Sequence, residues 1–270
     1  MATDVRKSIG TFGALAGDTG ARSFSRATYA VCVVGLVLVL SALTVTTPFV
    51  AMIIAAVICG WTEVDGACGV SHVSALTPLR ALDSTHRLWR RSVAAYTFGG
   101  LATALAVGAL LGLQAPFAGV LLDTILGRVV VMALIALLCL REAGLIHFPL
   151  PQVDRQTQKM WAAEFGHVTG AAMWGAHIGL GFATVIKHGG LYIVALCALL
   201  LGPLEGAILM GAFWLGRALP IWSTPWIVSQ EHDGGYLVDV VLRSDAALRH
   251  GAIAGFVCFA AALVASSFVR

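Results

Sequence analysis

Ionisable side chains are costly inside apolar segments, so each one found there is a functional candidate by default. Asp123 and Arg128 lie five residues apart in one apolar stretch, a spacing that misses the i,i+4 pairing of a helix. Each therefore requires a partner elsewhere or a place near an interface. Glu205 stands in Gly202-Pro203-Leu204-Glu205-Gly206, where a proline and two glycines loosen the helix around a carboxylate. A discontinuous helix of this kind begins a binding site in many carriers, and Glu205, Asp123 or His177 would then be the group that titrates. A proline kink with Glu205 paired to Arg128 or Arg217 explains the same residues without a site. His167 and His177 are ten residues apart, about 80° apart around a helix that turns about 100° per residue. That spacing suits a pore-lining or hydrogen-bonded histidine better than a haem or metal ligand set, and neither cofactor nor metal is expected.

The six cysteines include no C-x-x-C pair, which argues against a thioredoxin-like or zinc-ribbon site. Cys32, Cys139, Cys197 and Cys258 lie in apolar runs and read as small hydrophobic residues. Cys59 and Cys68, nine residues apart at the edge of a span and in the loop after it, are the candidate redox pair. Glu231-His232-Asp233 is acceptor-rich but has no spaced companions that would complete a metal site. The chain has no Gly-rich phosphate loop, nucleophile elbow or zincin helix, so nothing supports a hydrolase or a nucleotide-driven pump. A non-enzymatic role is the expectation.

These residues must be positioned by helices in a bilayer. The chain of 270 residues is 59% hydrophobic and 11% charged, with a mean hydropathy of +0.88, whereas soluble domains carry about 25% charged residues. Its apolar segments recur from Tyr29 to Val269 and leave no room for a separate soluble domain. The reading is an all-α, polytopic integral membrane bundle of six or seven spans, with a tail over 1–27 and one transmembrane domain over 28–270. No cleavage site leads into a soluble mature chain, so a removed signal peptide is not expected. The net charge of +3 is carried by residues between the spans and implies topology rather than nucleic-acid binding.

A bilayer crossing needs about 20 apolar residues. Spans are expected near Ser92–Leu113, Pro116–Leu140, Phe165–Ile186, Gly190–Leu219 and His250–Phe268, after a long run from Thr28 to Gly60. That run holds Thr46-Thr47-Pro48 in its middle and is basic at both ends, so it reads as a hairpin or re-entrant segment. The same charge rule puts the N-terminus in the cytoplasm, the loop holding Arg141, Arg155 and Lys159 on that side, and the Lys187-His188-Gly189 turn on the other. Trp222, Trp226 and Tyr236 read as interfacial anchors. Gly166, Gly170, Gly175, Gly179 and Gly181 offer a face for close helix packing. Leu88-Trp89 recurs as Met160-Trp161 after 72 residues, and Thr97 maps onto Thr169. This points to an inverted repeat with halves over about 28–145 and 150–270.

Phe165-Gly166-His167-Val168-Thr169-Gly170, continuing through Trp174-Gly175 to Gly179-Leu180-Gly181-Phe182-Ala183-Thr184, resembles the fourth helix of the cytochrome c biogenesis and DsbD-type thiol-reductant conduits. The resemblance covers roughly Thr46 to Pro220. It implies two inverted three-helix repeats, with Thr47-Pro48-Phe49 and Thr184-Val185-Ile186 where that family carries Ser-Pro-Cys and Thr-Pro-Cys. Both cysteines are missing here, and a two-electron thiol relay requires an attacking thiolate. A chain of this length without the pair is similar to the methylamine-utilisation accessory membrane proteins of the same superfamily. The resemblance thus implies a bacterial inner-membrane accessory protein that assists maturation or export of a periplasmic redox protein such as a quinoprotein amine dehydrogenase. Its partners would be the lipid bilayer and that maturation machinery. Its cavity residues would be Pro48, Phe49, His177, Thr184, Pro203 and Glu205. The alternatives are a secondary transporter of a small solute or ion and a thiol-disulfide protein using Cys59 and Cys68.

Overall fold

Long apolar stretches punctuated by glycine and proline dictate helices, because a lipid-facing backbone must satisfy its hydrogen bonds within the segment. A computed structural model describes the chain apart from residues 1, 45–47, 83, 119, 121–123, 154–159, 182–184, 228–233 and 270. For 2–19, 67–68 and a few further helical positions it describes the backbone alone. Every regular element among the described residues is helical. The principal helices are α1 (Ala2–Thr44), α2 (Pro48–Thr62), α3 (Ala67–Leu76), α4 (Arg87–Gly112), α5 (Ile125–Glu142), α6 (His167–Gly179), α7 (Gly190–Leu201), α8 (Pro203–Ile227), α9 (Gly234–Arg243) and α10 (Asp245–Val269).

Five segments are long and apolar enough to cross a bilayer: Gly20–Leu43, Pro48–Asp65, Arg87–Gly112, Pro203–Ser223 and Asp245–Ser266. The chain is a helical membrane protein. Val33, Val34, Val37, Leu38 and Leu40 of α1 are exposed, which in water would be an aggregation hazard and in lipid is the expected surface.

The run from Thr28 to Gly60 is a helical hairpin. Phe24 stacks on Trp61 with ring centroids 6.1 Å apart, and the Trp61 indole N–H donates to Thr28 Oγ1 at 3.1 Å. Further along the pair, Gly35 of α1 receives Ile58 of α2. Proline at the first position of α2 suits its fixed φ and missing N–H. On the other side of α2, α10 runs antiparallel, with Gly251 against Thr62 and Gly255 against Cys59.

Glycines let α4 approach two neighbours at backbone distance. Gly108 meets Gly206 of α8 and Gly112 meets Gly202 and Pro203 at its start, while Gly99 meets Ala172 and Gly175 meets Tyr96 along α6. Of the glycine face expected between Phe165 and Ile186, Gly175 and Gly179 pack on α4 and Gly170 packs on Ala162, whereas Gly166 and Gly181 lie outside α6 at positive φ.

Two expected spans are shorter than the sequence suggests. The helix within Phe165–Ile186 has 13 residues and measures only about 20 Å at a rise of about 1.5 Å per residue. It ends where Gly181 takes φ +77°. The apolar run from Gly190 to Leu219 is broken at Gly202, whose φ of +139° is open to glycine alone. The break separates a 12-residue α7 from a 25-residue α8.

Candidate functional site

Four chain segments bring charged side chains to one place, and each does so for a local reason. Helix α2 closes with a single 3-10 turn over Glu63–Asp65, where the Gly66 N–H reaches Glu63 O at 3.2 Å. Glu63 and Asp65 are buried there. Helix α5 stops at Glu142 because Gly144 adopts φ +74°. Its N–H bonds Arg141 O at 3.0 Å and the Leu145 N–H bonds Leu140 O at 3.0 Å, the paired reverse bonds of a Schellman stop. Arg141 and Glu142 are thereby left at the helix end. Lys187 and His188 occupy the last residues before α7, and Asp245 opens α10 with Arg249 one turn later.

His188 is the centre of this cluster. Its Nδ1 lies 2.7 Å from Glu142 Oε2 and its Nε2 lies 3.0 Å from Asp65 Oδ1. Both ring nitrogens face carboxylate oxygens, so the doubly protonated imidazolium is the form that satisfies both contacts. Burial opposes the charge on His188. The hydrogen bonds to Asp65 and Glu142, with the charges of Asp65 and Glu63, overcome that penalty and raise its pKa to about 10.

Lys187 donates to Asp65 Oδ2 and, at 2.6 Å, to Asp245 Oδ1. Asp245 in turn accepts from Arg249 Nε at 2.8 Å. Burial pulls the Lys187 ammonium down, and the bonds to Asp245 and Asp65 more than reverse it. Glu142 accepts from Arg141 Nη1 at 2.6 Å and from the Gly189 N–H at 3.2 Å. Burial would raise its pKa, but His188, Arg141 and the Gly189 N–H hold it below the ordinary carboxylate value. Glu63 Oε2 accepts the Lys187 N–H at 3.3 Å. Two carboxylates from other helices thus meet backbone N–H groups at the start of α7, the end of a helix that favours negative charge.

Two groups in this layer are incompletely bonded. Glu63 Oε1 and the Arg217 Nε and Nη2 atoms are buried without a hydrogen-bond partner among the described residues. Arg217 acts on Glu63 through its charge.

Beside the network lies a cavity of about 440 Å³ lined by Arg141, Glu142, Ile146, His147, Phe148, Pro149, Lys187, His188 and Arg249. The segment after α5 forms one wall. Arg141 Nε donates to Phe148 O at 3.1 Å, the Arg141 guanidinium lies 5.8 Å from the Phe148 ring centroid, and Gln152 Oε1 accepts the Ile186 N–H at 2.6 Å. Pro149 and Pro151 keep this segment from resuming a helix.

The sequence-derived candidates lie elsewhere and do not converge. Pro48 starts α2 and Phe49 packs half-buried on the core. His177 is half-buried in α6 with its ring 5.9 Å from that of Trp161, and its Nδ1 is buried without a hydrogen-bond partner among the described residues. His167 opens the same helix and is exposed. Pro203 begins α8, and the Glu205 carboxylate folds back over Gly202, with Oε2 2.8 Å from where a Cβ there would stand. Among the described residues Glu205 makes no ion pair with Arg128 or Arg217. Arg128 is exposed on α5. Cys59 is a free, fully buried thiol between Gly190 and Gly255. Cys68 lies in the first turn of α3, where only the backbone is described. Asp123, Thr184 and Glu231-His232-Asp233 lie outside the described residues.

One expectation is overturned. The charge rule places the Arg141 loop and the Lys187-His188-Gly189 turn on opposite faces, yet Arg141 Nη1 donates to Lys187 O at 3.2 Å. Both connections sit at the same end of the bundle. The arginine is held by Glu142, so it reports an ion pair as well as a membrane side.

Glu63, Asp65, Glu142 and Asp245 were not legible as a group. Their signal was present in a weak form: a chain with 14 acidic residues puts acids beside the ends of three helices, opposite basic residues beside two of the same ends. No group of three or more His, Cys, Asp or Glu among the described residues is arranged to hold a metal ion. Compared with family models, curated proteins and solved structures, the chain matches none.

Proposed function

We propose that this protein is a secondary carrier of a small solute, and that the ion-pair network around His188 is the element whose partners exchange during transport. One observation carries the reading: charged side chains from four separate segments, buried at Glu63, Asp65, Glu142 and His188 and centred on a histidine bridging Asp65 and Glu142, border a cavity of solute size. A packed apolar seam has no alternative partners, whereas a network in which Asp65 serves both Lys187 and His188 can release one while keeping the other. Breaking a buried pair outright costs about 3–5 kcal/mol. A charged solute that replaces one partner lowers that cost, and this links solute binding to helix movement.

The test is purified protein in liposomes, with internal pH dye and membrane current recorded while carboxylates, phosphate, amino acids and neutral sugars are added in turn. Solute-dependent current or proton movement is expected with the native chain and is expected to be lost with Asp65→Asn and Glu142→Gln at equal reconstitution. Traces identical to empty liposomes for every solute class would remove the carrier reading.

The helix break before Pro48, with the second break at Gly202, favours a second reading. In it, the chain is a bacterial inner-membrane accessory protein, N-terminus cytoplasmic and built on an inverted repeat, that helps mature a periplasmic redox protein. Affinity purification from native membranes that returns such a client, with no transport in liposomes, supports this second reading. The thiol-relay alternative has less support, since the Cys59 thiol is enclosed by α7 and α10.

A further inference from the structure

We infer that the cavity beside His188 binds one oxyanion, a carboxylate or phosphate group, through the N–H groups that Arg141 and Arg249 leave unengaged. The inference deepens the carrier reading by naming its substrate class, and it rests on that reading for its place in transport, although binding itself is measured without transport.

The donors can be followed group by group. A guanidinium carries five N–H donors and no acceptor. Arg141 uses Nε on Phe148 O and Nη1 on Glu142 Oε1 and Lys187 O, which leaves both protons of Nη2 without a protein acceptor among the described residues. Arg249 uses Nε on Asp245 Oδ2, which leaves the four protons of its two terminal nitrogens. Lys187 has one N–H beyond those given to Asp65 and Asp245. All three side chains line the same cavity.

The carboxylate in that lining is already engaged. Glu142 is its single carboxylate, and it receives Arg141, His188 and the Gly189 N–H. His188 has no proton left to give. The wall therefore presents several cationic donors and no carboxylate free to receive them, a field that favours an anion. Arginine forks match the two oxygens of a carboxylate or phosphate. Ile146, Phe148 and Pro149 supply an apolar side for a short carbon skeleton. The volume, about 440 Å³, lies within the usual range of small-molecule sites, about 300–1,000 Å³. Because the cavity lies at a bundle end, the oxyanion belongs either to a soluble metabolite or to an anionic lipid headgroup, and both present the same group to the same donors.

The experiment uses the full chain in a neutral maltoside detergent. Thermal stability is measured with inorganic phosphate and with short mono- and dicarboxylates, and in a separate arm in nanodiscs of phosphatidylcholine against phosphatidylglycerol. A rise in melting temperature that saturates with one of these anions is expected. Its apparent affinity should fall at least tenfold in Arg249→Gln. It should stay unchanged in Arg243→Gln, an exposed control whose side chain pairs with Asp239 in α9. Arg249→Lys keeps the charge but not the fork and should recover only part of the affinity. Stabilisation in phosphatidylglycerol alone assigns the oxyanion to a lipid headgroup, and stabilisation by soluble anions assigns it to a solute. No stabilisation in either arm, or equal affinity in Arg249→Gln, overturns the inference. Binding that survives while liposomes show no transport would sink the carrier reading and leave this site standing.

Discussion

Replacing His188 by glutamine removes one proton-carrying group from between two buried carboxylates, and the pH dependence of stability should report the loss. The native ring is 1% exposed, so solvent screens it little. Its pKa of about 10 in the folded chain, against 6.5 for an unperturbed histidine, corresponds to about 5 kcal/mol of preference for the charged form. Removing one partner of a buried pair costs about 3–5 kcal/mol in general, which agrees. Because the folded value is the higher one, this stability is fully present below pH 6.5 and is lost as pH rises towards 10. Asp65 and Glu142 face the ring directly, and Lys187 and Arg141 hold those carboxylates from the other side. Between pH 7 and pH 10 about 3.5 kcal/mol of this stability is lost, so at about 2–4 °C per kcal/mol for a chain of this size the apparent melting temperature of the native protein in detergent should fall by roughly 7–14 °C. The His188→Gln variant should start lower and stay nearly flat over the same range. Parallel pH profiles for the two proteins would show that His188 carries no linked proton and would refute the assignment of an imidazolium at this site.

Glycines at helix crossings should be far less tolerant than the glycine that ends α5. A Cβ on Gly60 would lie 1.9 Å from the Phe213 carbonyl oxygen of α8, so Gly60→Ala should cost about 3 kcal/mol or more. Gly144→Ala meets no atom within 4 Å and strains only φ, at about 1 kcal/mol; melting of both variants checks the ranking. Cys59 should resist alkylation in native membranes and react only after denaturation, whereas Cys32 and Cys139 are partly exposed. Site-by-site mass spectrometry that found Cys59 labelled first would reopen the thiol-relay reading.

Hydropathy and the positions of proline and glycine determined a good deal by themselves. They specify an all-helical membrane protein, the helix start at Pro48 and the interruption at Gly202-Pro203, because a bilayer admits few backbone solutions and these residues end or begin helices through their own geometry. Small residues at helical spacing likewise foretold close packing of α6, though its glycines could not say that α4 is the partner. The site was decided only in three dimensions. Asp65, Glu142, His188 and Asp245 belong to four distant segments, and each, taken singly, is a charged or polar residue beside the end of a helix, where such residues are ordinary in a membrane chain. Which helix ends meet is set by close approach at glycines such as Gly60, against the Phe213 backbone, and Gly190 and Gly255, against the Cys59 side chain, and by the Schellman stop that leaves Arg141 and Glu142 facing Lys187 and His188. Glu205 read as the odd carboxylate because its sequence neighbours are unusual. The carboxylates that form the network have ordinary neighbours in sequence and unusual ones in space, and ion pairing depends on distance in the folded chain rather than on spacing along it.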